Sequence, residues 1–213
     1  MLIGLYGSGG FGREVMPILD RQAPGRELVF IDDLNPAATV NGFRVMRYAE
    51  FLAHPAHEKF FNVAIASSTE RRRLAEKCIA DGIRPLQVRA GESVCYEPNS
   101  VAEGAIFCAH TTLTANATIG RYFHANIYSY VAHDCVIGDF VTFAPAVRCN
   151  GWVIVEDDAY VGTGAVIRNG SAEAPIIIGK GAVVGMGAVV TKSVPAGTTV
   201  VGNPARPLLV RGS

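Results

Sequence analysis

Residues 101–138 read VAEGAIFCAHTTLTANATIGRYFHANIYSYVAHDCVIG, and this stretch decides the fold. From its first residue an apolar side chain recurs at every sixth position, and the recurrence continues to residue 167 without a polar interruption. A helical period of 3.6 falls out of phase with a step of six within a few positions, so the pattern predicts a solenoid. The positions are Val101, Phe107, Leu113, Ile119, Ala125, Val131, Ile137, Phe143, Cys149, Val155, Val161 and Ile167.

Glycines and small residues surround these apolar positions, as in Ile119-Gly120. They are typical of short flat strands joined by tight turns. The step of six stops after Ile167, the segment RNGSAEAP at 168–175 predicts a loop, and the step resumes at Ile178. Because eleven residues rather than twelve separate Ile167 from Ile178, we expect this loop to leave the regular path of the coil.

The first 90 residues follow a different pattern, in which strand-like and helix-like segments alternate. Such alternation predicts a small parallel sheet flanked by helices. We therefore expect a βαβ domain over 1–90 and a solenoid over 91–213. The sequence predicts strands at 2–6, 28–31, 62–66 and 85–88, and helices at 11–21 and 69–81, the second capped by Ser68 or Thr69.

Composition excludes several classes of function. Lys+Arg and Asp+Glu both number 19, so the net charge is zero, and we expect no nucleic-acid partner. The start MLIGLYG lacks the regions of a signal peptide, and no segment has the roughly 18 apolar residues of a membrane span, so we expect a cytoplasmic protein without membrane insertion. Five cysteines without a CxxC spacing argue against a disulfide framework and a zinc site, so we expect no metal.

Residues 7–12, GSGGFG, satisfy the pattern GxGxxG between a predicted strand and a predicted helix, and Asp32 follows twenty residues beyond Gly12. Glycines in such a turn let backbone N–H groups approach a phosphate, and an acid after the next strand can accept from a ribose or base. Three interpretations remain: a turn without ligand, an NAD(P) site and a site for a nucleotide-linked substrate. The short domain and the solenoid that follows it favour the third.

His133 and Asp134 place a titratable pair in a turn of the solenoid. A histidine there can titrate near neutral pH, and an adjacent carboxylate can fix its tautomer and raise its basicity. The other four histidines lie in a polar segment or have no adjacent acid. From spacing alone, His133 is explained equally well as a general base and as a solvated turn residue.

Five segments carry a resemblance to a known family: GSGGFG at 7–12, FIDD at 30–33, HDCVIGDF at 133–140, PA at 145–146 and VGNPAR at 201–206. Together they resemble the PglD/NeuD-like left-handed β-helix sugar acetyltransferases over nearly the whole chain. The resemblance implies a Rossmann-like domain that holds a nucleotide-linked sugar, followed by a left-handed parallel β-helix that binds acetyl-CoA as a homotrimer. The implied activity is N-acetylation of a UDP- or GDP-linked 4-amino-4,6-dideoxy sugar for polysaccharide biosynthesis.

The resemblance also implies roles for individual residues. His133 would be the general base, Asp134 would orient it, and the backbone N–H of Gly151, eighteen residues or one coil later, would stabilise the oxyanion. Direct transfer needs no cysteine nucleophile. The implied sugar-nucleotide contacts are Gly9, Gly10, Phe11, Asp32, Asp33, Ser67 and Arg71, and the implied acetyl-CoA contacts are Thr142, Thr163 and Met186, with Lys180, Lys192 or Arg206 near its phosphates.

Four features depart from the family pattern. Phe11 stands where many relatives have His, and Thr142 stands where one branch has a second His near the acetyl group. Trp152 follows Gly151 where a small polar residue is common, and the loop at 170–174 is longer than in that branch. The acceptor therefore stays open, and two alternatives remain: an O-acetyltransferase of a sialic or other nonulosonic acid, and a non-catalytic trimeric sugar-nucleotide-binding protein. The acids Asp32 and Asp33 do not choose between uracil and guanine.

Overall fold

A computed structural model of the chain describes residues 1–208. Two compact units are present, Met1–Gly91 and a second that begins at Glu92. The helices of the first unit are α1 (Gly10–Gln22), α2 (Tyr48–Ala53) and α3 (Ser68–Ala80). Its strands are β1 (Leu2–Tyr6), β2 (Glu27–Ile31), β3 (Thr39–Val40), β4 (Phe43–Met46), β5 (Lys59–Val63), β6 (Arg84–Pro85) and β7 (Val88–Arg89).

Strand β1 is the centre of the first unit. The sheet has the order β3-β4-β2-β1-β5-β6, and β1 pairs in parallel with β2 on one side and β5 on the other. All five residues of β1 are buried, as expected for a strand covered on both faces. The chain runs from β1 to β2 and later returns to the opposite side of β1, so the strand order reverses there. Ligands of open α/β sheets bind at such reversals, beyond the carboxyl ends of the strands. The Rossmann-like prediction is confirmed.

Some boundaries in this unit differ from the prediction. The strand predicted at 62–66 is β5, three residues earlier, because the aromatic residues at 60 and 61 belong to the sheet and 64–66 form the loop after it. Helix α3 begins one residue earlier than predicted, and Ser67 is its cap instead of Ser68 or Thr69. The strand predicted at 85–88 is divided between β6 and β7. Strands β3 and β4 and helix α2 are not predicted, because such short elements carry no clear period.

The second unit is the predicted left-handed parallel β-helix. Its short strands stack into three sheets that form the faces of a prism. The first face contains β10 (Ile106–Phe107), β13 (His124–Ala125), β16 (Thr142–Phe143), β19 (Tyr160–Val161), β22 (Val183–Val184), β24 (Thr199–Val201) and, antiparallel at its end, β25 (Arg206–Pro207). The second face contains β8 (Val94–Cys95), β11 (Thr112–Leu113), β14 (Tyr130–Val131), β17 (Arg148–Cys149), β20 (Val166–Ile167) and β23 (Val189–Val190). The third contains β9 (Ser100–Val101), β12 (Thr118–Ile119), β15 (Val136–Ile137), β18 (Val153–Val155) and β21 (Ile176–Ile178).

The step-of-six residues fill the inside of this prism. Each of them from Phe107 to Ile167 is at most 4% exposed, and Val101 packs against the same core. Parallel partners lie eighteen residues apart, as in Tyr130 and Arg148, so one coil is three steps of six. The ladder is therefore the hydrophobic core of the second unit.

One coil is longer than the others. Val153 pairs with Ile176, twenty-three residues later, so the predicted loop adds five residues to the regular eighteen. The addition lies where the chain turns from the second face to the third. On every coil the chain makes three such turns, and each set of stacked turns forms one edge of the prism. We call the edge between the first and second faces the first corner, the edge between the second and third faces the second corner, and the edge between the third and first faces the third corner.

Candidate active site

The second corner carries the His133–Asp134 pair. The backbone of Asp134 has a φ of 57°, in the left-handed region that Asp adopts more readily than most residues. Its carboxylate Oδ2 lies 2.7 Å from Nδ1 of His133, and Asn116 of the preceding coil donates to Oδ1 at 3.3 Å. The carboxylate favours the tautomer with its proton on Nδ1, which leaves Nε2 free to accept a proton. The His133 side chain is 56% exposed, so this nitrogen is within reach of a substrate.

Gly151 lies against the His133 ring from the next coil, as the spacing of eighteen predicts. A Cβ at residue 151 would come within 2.5 Å of Cε1 and 2.6 Å of Nε2 of His133. Only glycine permits this approach of backbone to imidazole. The Gly151 carbonyl accepts from the N–H of Gly170 at 3.0 Å, whereas the Gly151 N–H donates to no protein acceptor among residues 1–208. The exposed His133 ring thus lies against the buried Gly151 backbone at the second corner.

The five added residues are anchored on the same coil as Gly151. Besides the contact from Gly170, the N–H of Ile176 donates to the carbonyl of Trp152 at 3.1 Å. A Cβ at Gly170 would come within 2.6 Å of that carbonyl oxygen, so glycine is needed here too. The longer loop therefore belongs to the corner that carries His133.

A cavity of about 550 Å³ lies in the first unit, at the carboxyl ends of β1, β2 and β5. Gly9, Gly10 and Phe11 line it at the start of α1, whose first turn has no acidic residue. Backbone N–H groups and the positive end of the helix dipole make this wall suitable for a phosphate. A Cβ at Gly12 would overlap the carbonyl of Gly7, so the third glycine of the motif allows close packing of helix on strand.

Asp32 lines the cavity, but its carboxylate organises the protein's own loop. Oδ2 accepts from the hydroxyl and the N–H of Ser8 at 2.5 and 3.1 Å, and Oδ1 accepts from the N–H groups of Leu34 and Asn35, both at 3.1 Å. Burial by itself would raise the pKa of Asp32, and these four hydrogen bonds outweigh it, so that the pKa lies below its ordinary value. The sequence does not distinguish Asp32 from Asp33, whereas in the structure the Asp32 carboxylate already accepts four hydrogen bonds from the protein.

Asp33, the second predicted acid, keeps more capacity for a ligand. Its Oδ2 accepts from the Tyr6 hydroxyl at 2.7 Å, and its Oδ1 accepts from the N–H of Tyr48 at 2.8 Å. Each carboxylate oxygen can accept two hydrogen bonds, so one position on each oxygen remains. Asp33 also lines the cavity and is exposed. Asp33 is therefore the better candidate for contact with a bound nucleotide.

Ser67 and Arg71 do not line the cavity but hold neighbouring residues in place. The Ser67 hydroxyl caps α3 by accepting from the N–H of Glu70 at 3.3 Å. Arg71 is fully buried, and its Nη1 donates to the carbonyls of Ile65 and Ala66 at 2.8 and 3.3 Å. Ile65 and Ala66, in the loop after β5, both line the cavity. Arg71 thus fixes the shape of the wall from inside the protein.

Two other residues of α3 line the cavity directly. Glu70 and Arg73 lie one helical turn apart on the face towards the cavity, and the Arg73 guanidinium contacts both carboxylate oxygens of Glu70, at 2.9 and 2.5 Å. The sequence offers three consecutive arginines at 71–73, and only the turn of the helix decides which of them faces a ligand. Arg73 is a functional candidate that the sequence analysis missed.

Three residues expected near acetyl-CoA lie on or beside the first face. Thr142 is buried on β16. Thr163 and Met186 lie at the first corner on consecutive coils, where the N–H of Gly187 donates to the carbonyl of Thr163 at 2.8 Å. Met186 is 81% exposed. The second corner, with His133, is a different edge of the prism, so one chain does not bring Thr163 and Met186 to His133.

The three basic residues expected near the phosphates of acetyl-CoA lie on different parts of the prism. Lys180 lies at the third corner, 4.0 Å from Asp157. Lys192 is exposed at the second corner, three coils beyond His133, or about 14 Å along the axis at the usual strand spacing. Arg206 lies on β25 and donates to the carbonyl of Ala205 at 2.8 Å. Of these three, Lys192 shares an edge of the prism with His133.

Three further features concern metal ions, membranes and thiols. Within residues 1–208, no cluster of three or more His, Cys, Asp or Glu side chains is arranged to hold a metal ion. No helix in the same part of the chain is long and apolar enough to cross a bilayer. The cysteines are free thiols, and Cys135, next to the His133–Asp134 pair, is buried. Its sulfur therefore does not face a substrate at the corner.

Comparison with known proteins places the chain in a family. The family model of the PglD N-terminal domain matches residues 2–78. The chain is 51% identical over 210 residues to the GDP-perosamine N-acetyltransferase of Escherichia coli O157:H7, with 96% of this chain and 95% of the relative covered. WeeI from Acinetobacter baumannii AYE has a TM-score of 0.95 and 54% identity over 98% of this chain and 100% of that one.

A more distant structure supplies a complex. The acetyltransferase domain of PglB from Neisseria gonorrhoeae FA1090, solved with acetyl coenzyme A, has a TM-score of 0.90 and 27% identity over 97% of this chain and 98% of that one. Fold and sequence thus agree over both units. The chain belongs to the PglD-like family of left-handed β-helix nucleotide-sugar acetyltransferases.

Proposed function

We propose that this acetyltransferase transfers the acetyl group of acetyl-CoA to the amino group of a GDP-linked 4-amino-4,6-dideoxyhexose. The observation that supports the proposal is the contact between the His133 ring and Gly151, whose N–H donates to no protein acceptor among residues 1–208. The choice of a GDP-linked sugar rests on the relative that is 51% identical and is named a GDP-perosamine N-acetyltransferase. The choice of acetyl donor rests on the PglB complex.

His133 performs the proton transfers in this mechanism. Its Nε2 takes a proton from the amine as the amine nitrogen bonds to the thioester carbonyl carbon. The negative charge that develops on the carbonyl oxygen is stabilised by the Gly151 N–H, which donates to no protein acceptor among residues 1–208. When the carbon–sulfur bond breaks, His133 returns the proton to the departing sulfur. Asp134 stabilises the charged imidazole through Nδ1.

The first unit binds the nucleotide part of the acceptor in this proposal. The backbone at Gly9, Gly10 and Phe11 holds the diphosphate, Arg73 adds a positive charge, and Asp33 accepts from the base or ribose. Asp32, Ser67 and Arg71 keep the wall of the cavity in shape. Specificity for the nucleotide and chemistry on the sugar are thereby assigned to separate units.

We further propose that acetyl-CoA binds between copies of the chain in a cytoplasmic homotrimer. Thr163 and Met186 lie on the first corner and His133 lies on the second, so a second copy is needed to bring such residues to the base. The exposed Met186 and the exposed Tyr128, which stacks on His110 with ring centroids 4.9 Å apart, give the first corner an apolar surface. Sedimentation at assay concentrations is expected to give the mass of three chains, and a stable monomer with full activity would contradict this.

A substrate panel tests the proposed activity. The purified protein is mixed with acetyl-CoA and with GDP-, UDP- or dTDP-linked 4-amino sugars, each paired with its 4-hydroxy counterpart, and free thiol is measured. Thiol release with the GDP-linked amino sugar and none with its hydroxyl counterpart is the expected result. Release with a hydroxyl acceptor such as a sialic acid would favour an O-acetyltransferase. No release with any acceptor, together with binding of the nucleotide, would indicate a non-catalytic protein.

A further inference from the structure

The peptide bond between Asn150 and Gly151, which contains the Gly151 N–H, contacts two buried thiols. The carbonyl of this peptide belongs to Asn150, and it accepts from the Sγ of Cys135 at 3.1 Å. The Sγ of Cys149 lies 3.9 Å from the same oxygen. Both cysteines are fully buried in the core of the prism. The carbonyl of Asn150 is therefore directed inward.

An inward carbonyl fixes the direction of the Gly151 N–H. In a trans peptide the C=O and N–H bonds lie in one plane and point in opposite directions. The N–H therefore points away from the core. If this peptide rotated, the N–H would turn away from the surface and an oxygen would face the developing oxyanion. Control of the peptide is thus control of the oxyanion donor.

The contacts around this peptide form a continuous network. Cys149 donates to the sulfur of Cys135, and this hydrogen bond together with burial raises the pKa of Cys149 well above its ordinary value. The Asn150 side chain, which is half-buried, accepts from the Tyr130 hydroxyl at 2.5 Å and donates to the carbonyl of Ile167 at 2.8 Å. The main chain at residue 150 is thus held from the core and its side chain by Tyr130 and Ile167. Both sets of contacts act on the peptide that precedes Gly151.

We propose that Cys135 is a positioning residue for acetyl transfer, which holds the Asn150–Gly151 peptide so that the Gly151 N–H faces the reacting carbonyl oxygen. The inference rests on the proposed function, since it gives Gly151 the role of oxyanion donor. In this role the Cys135 thiol forms no covalent bond with the acetyl group. Because Cys135 acts through the backbone, its loss lowers kcat and leaves the KM values for both substrates unchanged.

Three variants test the proposal. Cys135→Ala removes the donor and is expected to lower kcat about tenfold, less than the roughly 100- to 1,000-fold loss when an oxyanion donor is removed outright. Cys135→Ser keeps a donor for the Asn150 carbonyl and is expected to stay within about threefold of wild type. Cys108→Ala is the control, because Cys108 is also a buried free thiol but lies at the first corner, away from the Asn150–Gly151 peptide. It is expected to leave kcat unchanged.

Crystal structures of the wild type and Cys135→Ala provide a readout that does not depend on turnover. A rotated or doubly occupied Asn150–Gly151 peptide in the variant is expected. Wild-type kcat in Cys135→Ala, or a loss that Cys108→Ala or Cys135→Ser reproduces in full, would overturn the proposal, as would an unmoved peptide. If the wild-type protein acetylates no acceptor, the proposed function fails, and the peptide orientation still decides whether Cys135 holds it.

Discussion

The Cα of Gly151 packs against the His133 imidazole, so closely that a Cβ there would lie 2.6 Å from Nε2. This contact joins two adjacent coils at the second corner. It sets the position of the Gly151 backbone against the His133 ring, because the two residues lie at the same corner on adjacent coils. A change at either residue therefore disturbs the other.

Gly151→Ala is expected to lower kcat about 100-fold, because the new methyl group displaces the imidazole from the position of a general base. Stability should change little, since the His133 ring is exposed enough to move aside. Thiol release in the presence of acetyl-CoA and the amino sugar measures the effect. Gly91→Ala is the control, because a Cβ there meets no atom within 4 Å. Wild-type kcat in Gly151→Ala would show that the contact has no catalytic role.

Arg73→Ala is expected to weaken binding of GDP about tenfold, which corresponds to about 1.4 kcal/mol. The reason is the loss of a cation from the wall of the nucleotide cavity. Titration calorimetry with GDP measures the change. Arg84→Ala is a matched control, because Arg84 also forms a surface pair, with Glu58 at 2.7 Å. Equal Kd values for wild type and Arg73→Ala would remove Arg73 from the binding site.

Asp32→Ala is expected to lower the free energy of unfolding at pH 7 by about 2 kcal/mol, the usual contribution of hydrogen bonds to a charged group. The pKa of Asp32 in the folded protein is below its ordinary value, so the contribution is complete above that ordinary value and is lost as the pH falls through the folded-state pKa. The difference between variant and wild type should therefore disappear in strong acid.

Circular dichroism at 222 nm during urea unfolding measures this effect, because the helices of residues 1–208 all lie in the first unit. Asp20→Ala, on the exposed side of α1, serves as the control and should match wild type at pH 7. A difference between Asp32→Ala and wild type that stays constant down to pH 2 would mean that the charge of Asp32 is not what stabilises the loop.

The fold was largely predictable, because its strongest signal is repeated. Each coil places three apolar residues inside the prism, so an error at one position does not hide the period. The boundary errors lie in the first unit, where β5 is three residues from its predicted place and β3, β4 and α2 are absent from the prediction. Those elements are held by partners distant in sequence, which a local pattern does not show.

The site was predictable where backbone spacing decides it. His133 and Gly151 meet because eighteen residues make one coil. The side chains near the nucleotide cavity were harder, because the distinction between Asp32 and Asp33 depends on hydrogen bonds from Ser8 and Tyr6. The rotation of α3 decides that Arg73 rather than Arg71 faces the cavity. Of the residues expected near acetyl-CoA, Thr163 and Met186 share the first corner and Thr142 lies on the first face, so none of these three lies at the corner of His133.

The most direct test of the account is the turnover number of His133→Ala with acetyl-CoA and GDP-perosamine. Removal of a general base is expected to lower kcat by about 100- to 10,000-fold, or about 3 to 5 kcal/mol of activation free energy. The melting temperature and the Kd for coenzyme A should stay close to wild type, since His133 lies at the surface of a turn. A kcat near that of the wild type would contradict the central claim.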